Sequence, residues 1–156
     1  MTRVPFLGLV TLAAALMGCA NTLAIDAPPP IPGFRLSHEE QINAVLSDVR
    51  RGMETRQIYR VLAHVSPNYR DGNNHTYEDL APRFNAFFDR YRNIRIRRAR
   101  PRIFVLGDYA HAMETFATIA DPADPLVDSP LNIEGNVLVY FERAGNRWMI
   151  TSWEHP

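Results

Sequence analysis

The chain has 156 residues, 46% of them hydrophobic, and its 17 basic and 17 acidic residues balance. This neutral charge gives no reason to expect nucleic acid or another polyanion as a partner. The length suits one domain with its own core, and a single cysteine, Cys19, excludes a disulfide within the chain.

The first 18 residues have the layout of a bacterial export signal. Arg3 precedes an apolar stretch, residues 4–17, which is shorter than the ~20 residues of a membrane-spanning helix but suits a secretory signal. The tetrad Leu16-Met17-Gly18-Cys19 resembles the lipobox of bacterial lipoproteins, whose cysteine receives a diacylglycerol before the signal is cut off. Each buried acyl methylene contributes ~0.8 kcal/mol, so several chains anchor a protein firmly.

The resemblance implies that residues 1–18 are removed and that Cys19 carries the lipid. Ala20 after the cysteine implies export to the outer membrane of the cell envelope. The alternatives are an ordinary secretory signal with a chance cysteine, or an uncleaved membrane anchor.

Residues 19–36 form a proline-rich linker, with Pro28, Pro29, Pro30 and Pro32 opposing helix and central-strand geometry. Two interpretations stay open. The segment is a semi-rigid spacer, or it is an arm that lies on its own domain.

Residues 37–156 form the folded domain, and its first half is helical. Ser37 and Glu40 make a capping box at the start of the first helix, and Gly52 marks its end or a kink. A second short helix runs toward Pro67, and Thr76 caps a third. The third helix has an apolar face made of Leu80, Phe84, Phe87, Phe88 and Tyr91.

After Asn93 the apolar period changes from helical to two, which indicates strands. Gly107-Asp108 and Ala144-Gly145-Asn146 are turns between them. Helices followed by an antiparallel meander predict an α+β domain with three N-terminal helices packed on one face of a curved sheet.

These residues resemble the nuclear-transport-factor-2-like superfamily, which includes ketosteroid isomerase and SnoaL-like and scytalone dehydratase-like proteins. The resemblance rests on the "GDYAHA" turn and the ending "RAGNRWMI" and covers residues 37–155. It implies a cystatin-like cone, or α+β barrel, with an apolar cavity. Some members are enzymes and others only bind or dimerise, so the fold does not choose the function.

Glu114 is the first candidate for chemistry in such a cavity. Alternation places it on one face of its strand with Ala112 and Phe116, and His111 on the opposite face. An apolar pocket would raise the pKa of its carboxyl. The alternatives are an ion pair with an arginine, or a position where the sheet face meets solvent.

A second group of candidates lies around the loop after the second helix. Asp71 would act as a general base and Tyr69 as a donor to an oxyanion, with His64 nearby. The structural alternative is a turn in which Asp71-Gly72-Asn73 serve backbone geometry.

Ligand contacts are expected from aromatic residues of the cone, and no cofactor or metal motif appears. Arginines crowd residues 90–102 and predict either contact with anionic lipid headgroups or a solvated face that protects a sheet edge. The aromatic candidates are Phe84, Phe88, Phe116 and Trp148.

The leading hypothesis is a lipid-anchored envelope protein that binds a small apolar ligand or a protein partner without catalysis. A homodimer through the outer face of its sheet is one form that this hypothesis includes. The rivals are an isomerase or dehydratase that uses a pocket carboxylate, and a structural component of an envelope complex with a filled cone.

Overall fold

The computed structural model describes residues 36–154, and the predicted export signal, Cys19 and most of the predicted linker lie outside them. Three helices precede five strands within this range. The bounds are α1 His38–Glu54, α2 Ile58–Leu62, α3 Tyr77–Arg90, β1 Tyr91–Arg98, β2 Arg102–Leu106, β3 Tyr109–Pro122, β4 Leu131–Ala144 and β5 Arg147–Glu154. The predicted α+β fold is confirmed.

Capping boxes begin α1 and α3, as the sequence predicts. The amide of Ser37 donates to Glu40 Oε2 at 2.7 Å, and the amide of Glu40 donates to Ser37 Oγ at 3.2 Å. The amide of Thr76 donates to Asp79 Oδ2 at 2.8 Å. These bonds use amides that a helix start leaves without an internal partner.

The strands form one antiparallel sheet in the order β1-β3-β4-β5, and β2 also pairs with β3. The predicted meander is therefore wrong at its start, because β1 and β2 lie end to end along the same edge of β3 instead of pairing with each other. Pro101 lies between them, and its backbone nitrogen carries no hydrogen that could continue the hydrogen bonds of the ladder.

One face of the sheet is covered and carries the core. Ile42 and Leu46 of α1 pack with Val139 and Phe141 of β4 and with Ile150 of β5. A smaller cluster joins Phe88 of α3 to Ile94 and Ala120. The outer face of β3 and β4 is largely exposed, whereas Met149 and Ser152 on the outer face of β5 are buried.

The helix ends differ from the predicted ones. Helix α2 is one short turn that stops at Leu62, before Pro67, and Tyr91 begins β1 instead of extending α3. Gly52 does not end α1, which continues to Glu54. It lets α2 approach, because a Cβ there would lie 2.8 Å from Cγ2 of Val61.

We expect Gly52→Ala to destabilise the domain by about 1 kcal/mol, although alanine is the better helix former by about 1 kcal/mol. The reason is that overpacking against a buried, β-branched valine costs about 1–3 kcal/mol. Urea unfolding followed by circular dichroism measures the change. Gly72→Ala is the matched control, since its Cβ would meet nothing within 4 Å. Equal stability changes in the two variants would contradict the close approach of α2.

Candidate functional site

A cavity of about 670 Å³ opens between the helices and the covered face of the sheet. This volume falls in the range of small-molecule sites in proteins. Its apolar walls come from both layers and consist of Val49 and Met53 of α1, Leu80 and Phe84 of α3, and Ile96, Val137 and Trp153 of the sheet.

The polar rim of this cavity is built by the loop between α2 and α3. Tyr69 and Asp71 line it together with Arg83 in the middle of α3 and Glu154 at the end of β5. Burial and the neighbouring charge of Asp71 raise the pKa of Tyr69 to about 12, so its hydroxyl keeps its proton and can donate a hydrogen bond.

Asp71 is held as a carboxylate by three hydrogen bonds. Its Oδ2 lies 2.8 Å from Nδ1 of His75, and its Oδ1 accepts from the amides of Asn73 and His75, each at 2.9 Å. Burial alone would raise the pKa of Asp71, but the hydrogen bonds from His75 and Asn73 outweigh it and lower the pKa. Asp71 is therefore both the turn residue of the structural alternative and an ionised group at the cavity.

His75 continues this chain of contacts to Arg83. Its Nε2 lies 3.0 Å from Nη1 of Arg83, which can only donate, so Nε2 is the acceptor. The ring proton then sits on Nδ1 and is donated to Asp71. A neutral imidazole thus bridges a carboxylate and a guanidinium, and both of its nitrogens are occupied.

Glu114 lies on the covered face of β3, as alternation predicts, and pairs with an arginine. Nη1 of Arg98 donates to its Oε2 at 2.8 Å, and each side chain is only 11% exposed. Burial raises the pKa of Glu114, and the charges of Arg98 and Arg50 oppose that shift. Glu114 is absent from the cavity lining.

The Glu114–Arg98 pair ties the sheet to α1. Nη2 of Arg98 also donates to Oδ1 of Asn43 and Oγ of Ser47, each at 2.8 Å. An ion pair that is buried and fully hydrogen-bonded is costly to break at one end. Its geometry is that of a structural bridge, which was the alternative to chemistry for Glu114.

His64 lies away from the cavity. Its Nε2 is 2.9 Å from Oδ2 of Asp48, whose other oxygen accepts from Arg60 at 2.7 Å. This cluster joins α1 to the segment that contains α2 and places no group at the cavity.

Of the four aromatic candidates, Phe84 lines the cavity. Trp148 is buried beneath the start of α1, where Nε1 donates to Nδ1 of His38 at 3.3 Å. Phe88 belongs to the smaller core cluster and Phe116 packs against the main one. The cone is therefore not plugged by its aromatic residues.

The arginine cluster divides between paired and exposed residues. Arg90 pairs with Asp128 and Arg98 with Glu114, while Arg95 and Arg97 are exposed on the outer face of β1. Within residues 36–154 no group of three His, Cys, Asp or Glu side chains is placed to hold a metal ion. No helix in that range has the length and hydropathy to cross a bilayer.

Solved structures of known proteins share this architecture. A putative scytalone dehydratase from Novosphingobium aromaticivorans superposes with a TM-score of 0.65 at 11% identity, over 73% of this chain and 79% of that one. The fold is nuclear-transport-factor-2-like. A protein of that superfamily from Salmonella enterica serovar Typhimurium gives a TM-score of 0.64 at 15% identity, over 76% and 90% of the two chains.

A third similar structure is a hexachlorocyclohexane dehydrochlorinase, LinA type 2, with a TM-score of 0.63 at 16% identity, over 72% of this chain and 80% of that one. No protein-family model and no curated protein matches the sequence. At these identities the nuclear-transport-factor-2-like likeness shows the fold, and function has to be argued from the site.

Sequence reasoning missed His75, Arg83 and Trp153 as parts of the site. His75 and Asp71 are four residues apart in an irregular loop, where spacing carries no directional meaning, and Asn74 between them has a positive φ of 64°. The one available signal was the Asp-Gly-Asn-Asn run, which favours tight turns that fold a side chain back onto its own loop.

We expect Asp71→Asn to lower the free energy of unfolding at pH 7 by about 1–3 kcal/mol, because an amide cannot accept from both His75 Nδ1 and the two backbone amides. The folded-state pKa of Asp71 is lowered, so its contribution is present above its ordinary pKa and is lost as the pH falls through the folded value. The difference in the free energy of unfolding between wild type and variant should become smaller below about pH 4.

Urea unfolding at a series of pH values measures this difference. Asp89→Asn is the control, since Asp89 is exposed on α3 and makes no hydrogen bond or ion pair within the described range. A stability difference that stays constant down to acidic pH would show that the charge of Asp71 is not what holds the loop.

Proposed function

We propose that the domain binds a small, largely apolar molecule in the 670 Å³ cavity. The observation that carries this proposal is an open apolar chamber with polar groups gathered at one rim. Binding sites for small molecules have this composition, because apolar walls supply affinity and a few polar groups fix orientation. The same open chamber argues against a filled, purely structural cone.

The rim defines which end of the ligand would be polar. Arg83 is exposed and uses Nη1 for His75, which leaves guanidinium N–H groups to donate to a ligand oxygen. Asp71 already accepts three hydrogen bonds and is poorly suited to recognising a further donor. The ligand would therefore place an acceptor, such as a carboxylate or carbonyl oxygen, next to Arg83.

The second candidate function is an elimination or isomerisation with His75 as the base, oriented by Asp71. The Asp71–His75 contact favours it, since a carboxylate on Nδ1 is the usual way to direct a catalytic imidazole. A dehydratase and a dehydrochlorinase are among the similar folds. Binding stands first because Arg83 occupies the nitrogen that would have to take the proton.

We expect Val49→Phe to weaken binding of the fluorescent probe 8-anilinonaphthalene-1-sulfonate by about tenfold, or about 1.4 kcal/mol. Val49 lines the cavity, so the larger ring would fill space that the probe needs. Fluorescence titration gives the affinity. Val127→Phe is the matched control, because Val127 is 77% exposed on the loop before β4.

Two results would contradict a non-catalytic ligand site in this cavity. One is a loss of probe binding in Leu106→Ser, on the outer face of the sheet, but not in Val49→Phe. The other is elimination from an added substrate that His75→Gln abolishes while probe binding persists, which would put catalysis first.

We also propose that Cys19 carries a lipid that anchors the chain to the bacterial envelope, at the outer membrane. The support is the sequence alone: one charge, a short apolar stretch, Gly18 and then the only cysteine. The described domain holds its own hydrophobic core and requires no disulfide. A tether at Cys19, which precedes this domain in the sequence, is compatible with such a domain.

Cys19→Ser should abolish incorporation of radioactive palmitate when the full chain is expressed in an outer-membrane-bearing bacterium, because serine lacks the thiolate that attacks the lipid donor. Immunoblotting of membrane fractions should show the variant as an uncleaved, larger band. Ala20→Ser, which keeps the cysteine, is the control. Palmitate labelling that continues without Cys19 would contradict the anchor.

A further inference from the structure

One edge of the sheet carries a straight line of outward-pointing side chains. Strands β1 and β2 lie end to end against β3, and residues directly opposite each other in an antiparallel pair point to the same face. The partners of this line are outer-face residues of β3 between Tyr109 and Asp121. At ~3.4 Å per residue, the line is about 40 Å long. From one end to the other it consists of Leu106, Phe104, Arg102, Arg97, Arg95 and Arg92.

The four arginines of this line form a basic edge without counter-charges. Their side chains are exposed, and none makes a hydrogen bond or an ion pair within residues 36–154. The neighbouring outer face of β3 holds one acid, Asp121, whose Oδ2 accepts from Asn93 at 2.8 Å. The glutamates of the outer face lie on β4 and β5, at least two strands away. Like charges that lie about 7 Å apart repel each other, so an anionic surface would stabilise this edge.

The line ends in an apolar tip at the β2–β3 turn. Leu106 is 83% exposed and Phe104 56%, and Tyr109 on the other side of the turn is 69% exposed. Asp108 in the turn lies 3.8 Å from Nη1 of Arg143, so its charge has a partner. Leucine and phenylalanine suit the boundary between lipid headgroups and acyl chains, and tyrosine is enriched at the level of the headgroups.

We propose that the basic edge and the apolar tip dock the domain on a bilayer surface that contains anionic phospholipid. The guanidinium groups donate to lipid phosphates, and the tip enters the boundary between headgroups and acyl chains. The ligand cavity opens on the other face of the sheet, so this contact leaves it free. The inference does not rest on a lipid at Cys19, because the contact is made by side chains of the folded domain.

The composition of the line favours a bilayer over two simpler interpretations. Charged residues on an edge strand protect it from pairing with another chain, but Phe104 and Leu106, exposed on the same edge, do not serve that purpose. A soluble polyanion would match the arginines and would leave the apolar tip without a partner. A bilayer matches both parts of the line, because phosphates and acyl chains lie next to each other in its interface.

The experiment is co-sedimentation of residues 20–156 with lipid vesicles. This segment lacks Cys19 and keeps the whole described domain, which has its own core. We expect it to bind vesicles with about 30% phosphatidylglycerol in phosphatidylcholine at least about tenfold more tightly than vesicles of phosphatidylcholine alone. The preference should decrease as salt screens the charges. Circular dichroism verifies that every variant is folded.

Single arginine substitutions locate the contact. Arg95→Gln and Arg97→Gln should each weaken binding to the mixed vesicles about fivefold, because each removes one basic group from the membrane surface. Arg51→Gln is the matched control, since Arg51 is an exposed arginine of α1, in the helical layer, and makes no side-chain hydrogen bond or ion pair within the described range. Equal binding to both vesicle compositions would overturn the proposal. Equal losses in Arg97→Gln and Arg51→Gln would overturn it as well.

The apolar tip gives a second, independent measurement. Leu106→Ser should weaken vesicle binding about tenfold, because the leucine side chain would no longer leave water. Tyr59→Ser is the control, since Tyr59 is 85% exposed on α2 and lies off this edge. Binding that depends on the arginines and ignores Leu106→Ser would overturn docking on a bilayer and assign the basic edge to a soluble polyanion.

Discussion

The alternation of side chains along the long β3–β4 ladder is the constraint on which both surfaces of this domain depend. The two strands pair continuously from Tyr109 opposite Glu142 to Ala120 opposite Leu131. Over that length the side chains point alternately toward the helices and outward. Ala110, Ala112, Val137 and Val139 are small or β-branched on the covered side, which leaves room for a cavity. The aromatic residues His111 and Tyr140 are thereby forced onto the open side. A register shift of one residue would exchange the two surfaces.

Two polar clusters hold the walls of the cavity in position, each in a different way. Arg98 and Glu114 fix α1 on the sheet beside the cavity and satisfy each other away from solvent. Asp71, His75 and Arg83 fix the loop against the middle of α3 at the rim, where part of each group meets water. The charges of the first cluster pair with each other and serve the structure, while the second cluster leaves N–H groups of Arg83 free to donate. Burial accordingly raises the pKa of Glu114, whereas local hydrogen bonds lower that of Asp71. Two carboxylates that looked equivalent in the sequence thus have separate roles.

Much of the fold could be predicted from the sequence, because it depends on local rules. Capping boxes located the starts of α1 and α3, and period-two alternation placed Glu114 inward and His111 outward. The position of β1 and β2 along one edge of β3 could not be predicted. The sequence shows a break at Pro101, but it does not show which strand pairs with the residues on either side of that break. The ion pair of Glu114 was one of three open interpretations, because Arg98 and Glu114 lie on different strands and the register of β1 on β3 decides whether they meet. The site could be predicted only in part. The composition of the loop indicated that Tyr69 and Asp71 lie at a cavity mouth. The contact between His75 and Arg83 depends on the geometry of the loop, which the spacing of apolar residues does not describe.

Strand β5 shows how one strand serves both faces of the sheet. Trp153 points into the cavity, while its neighbours Ser152 and Glu154 pair with outer-face residues of β4. Glu154 is the exception to this division, because it lines the cavity and also the groove on the outer face. A substitution at Glu154 would therefore change the surroundings of both, whereas a substitution at Trp153 would change the wall of the proposed ligand site alone.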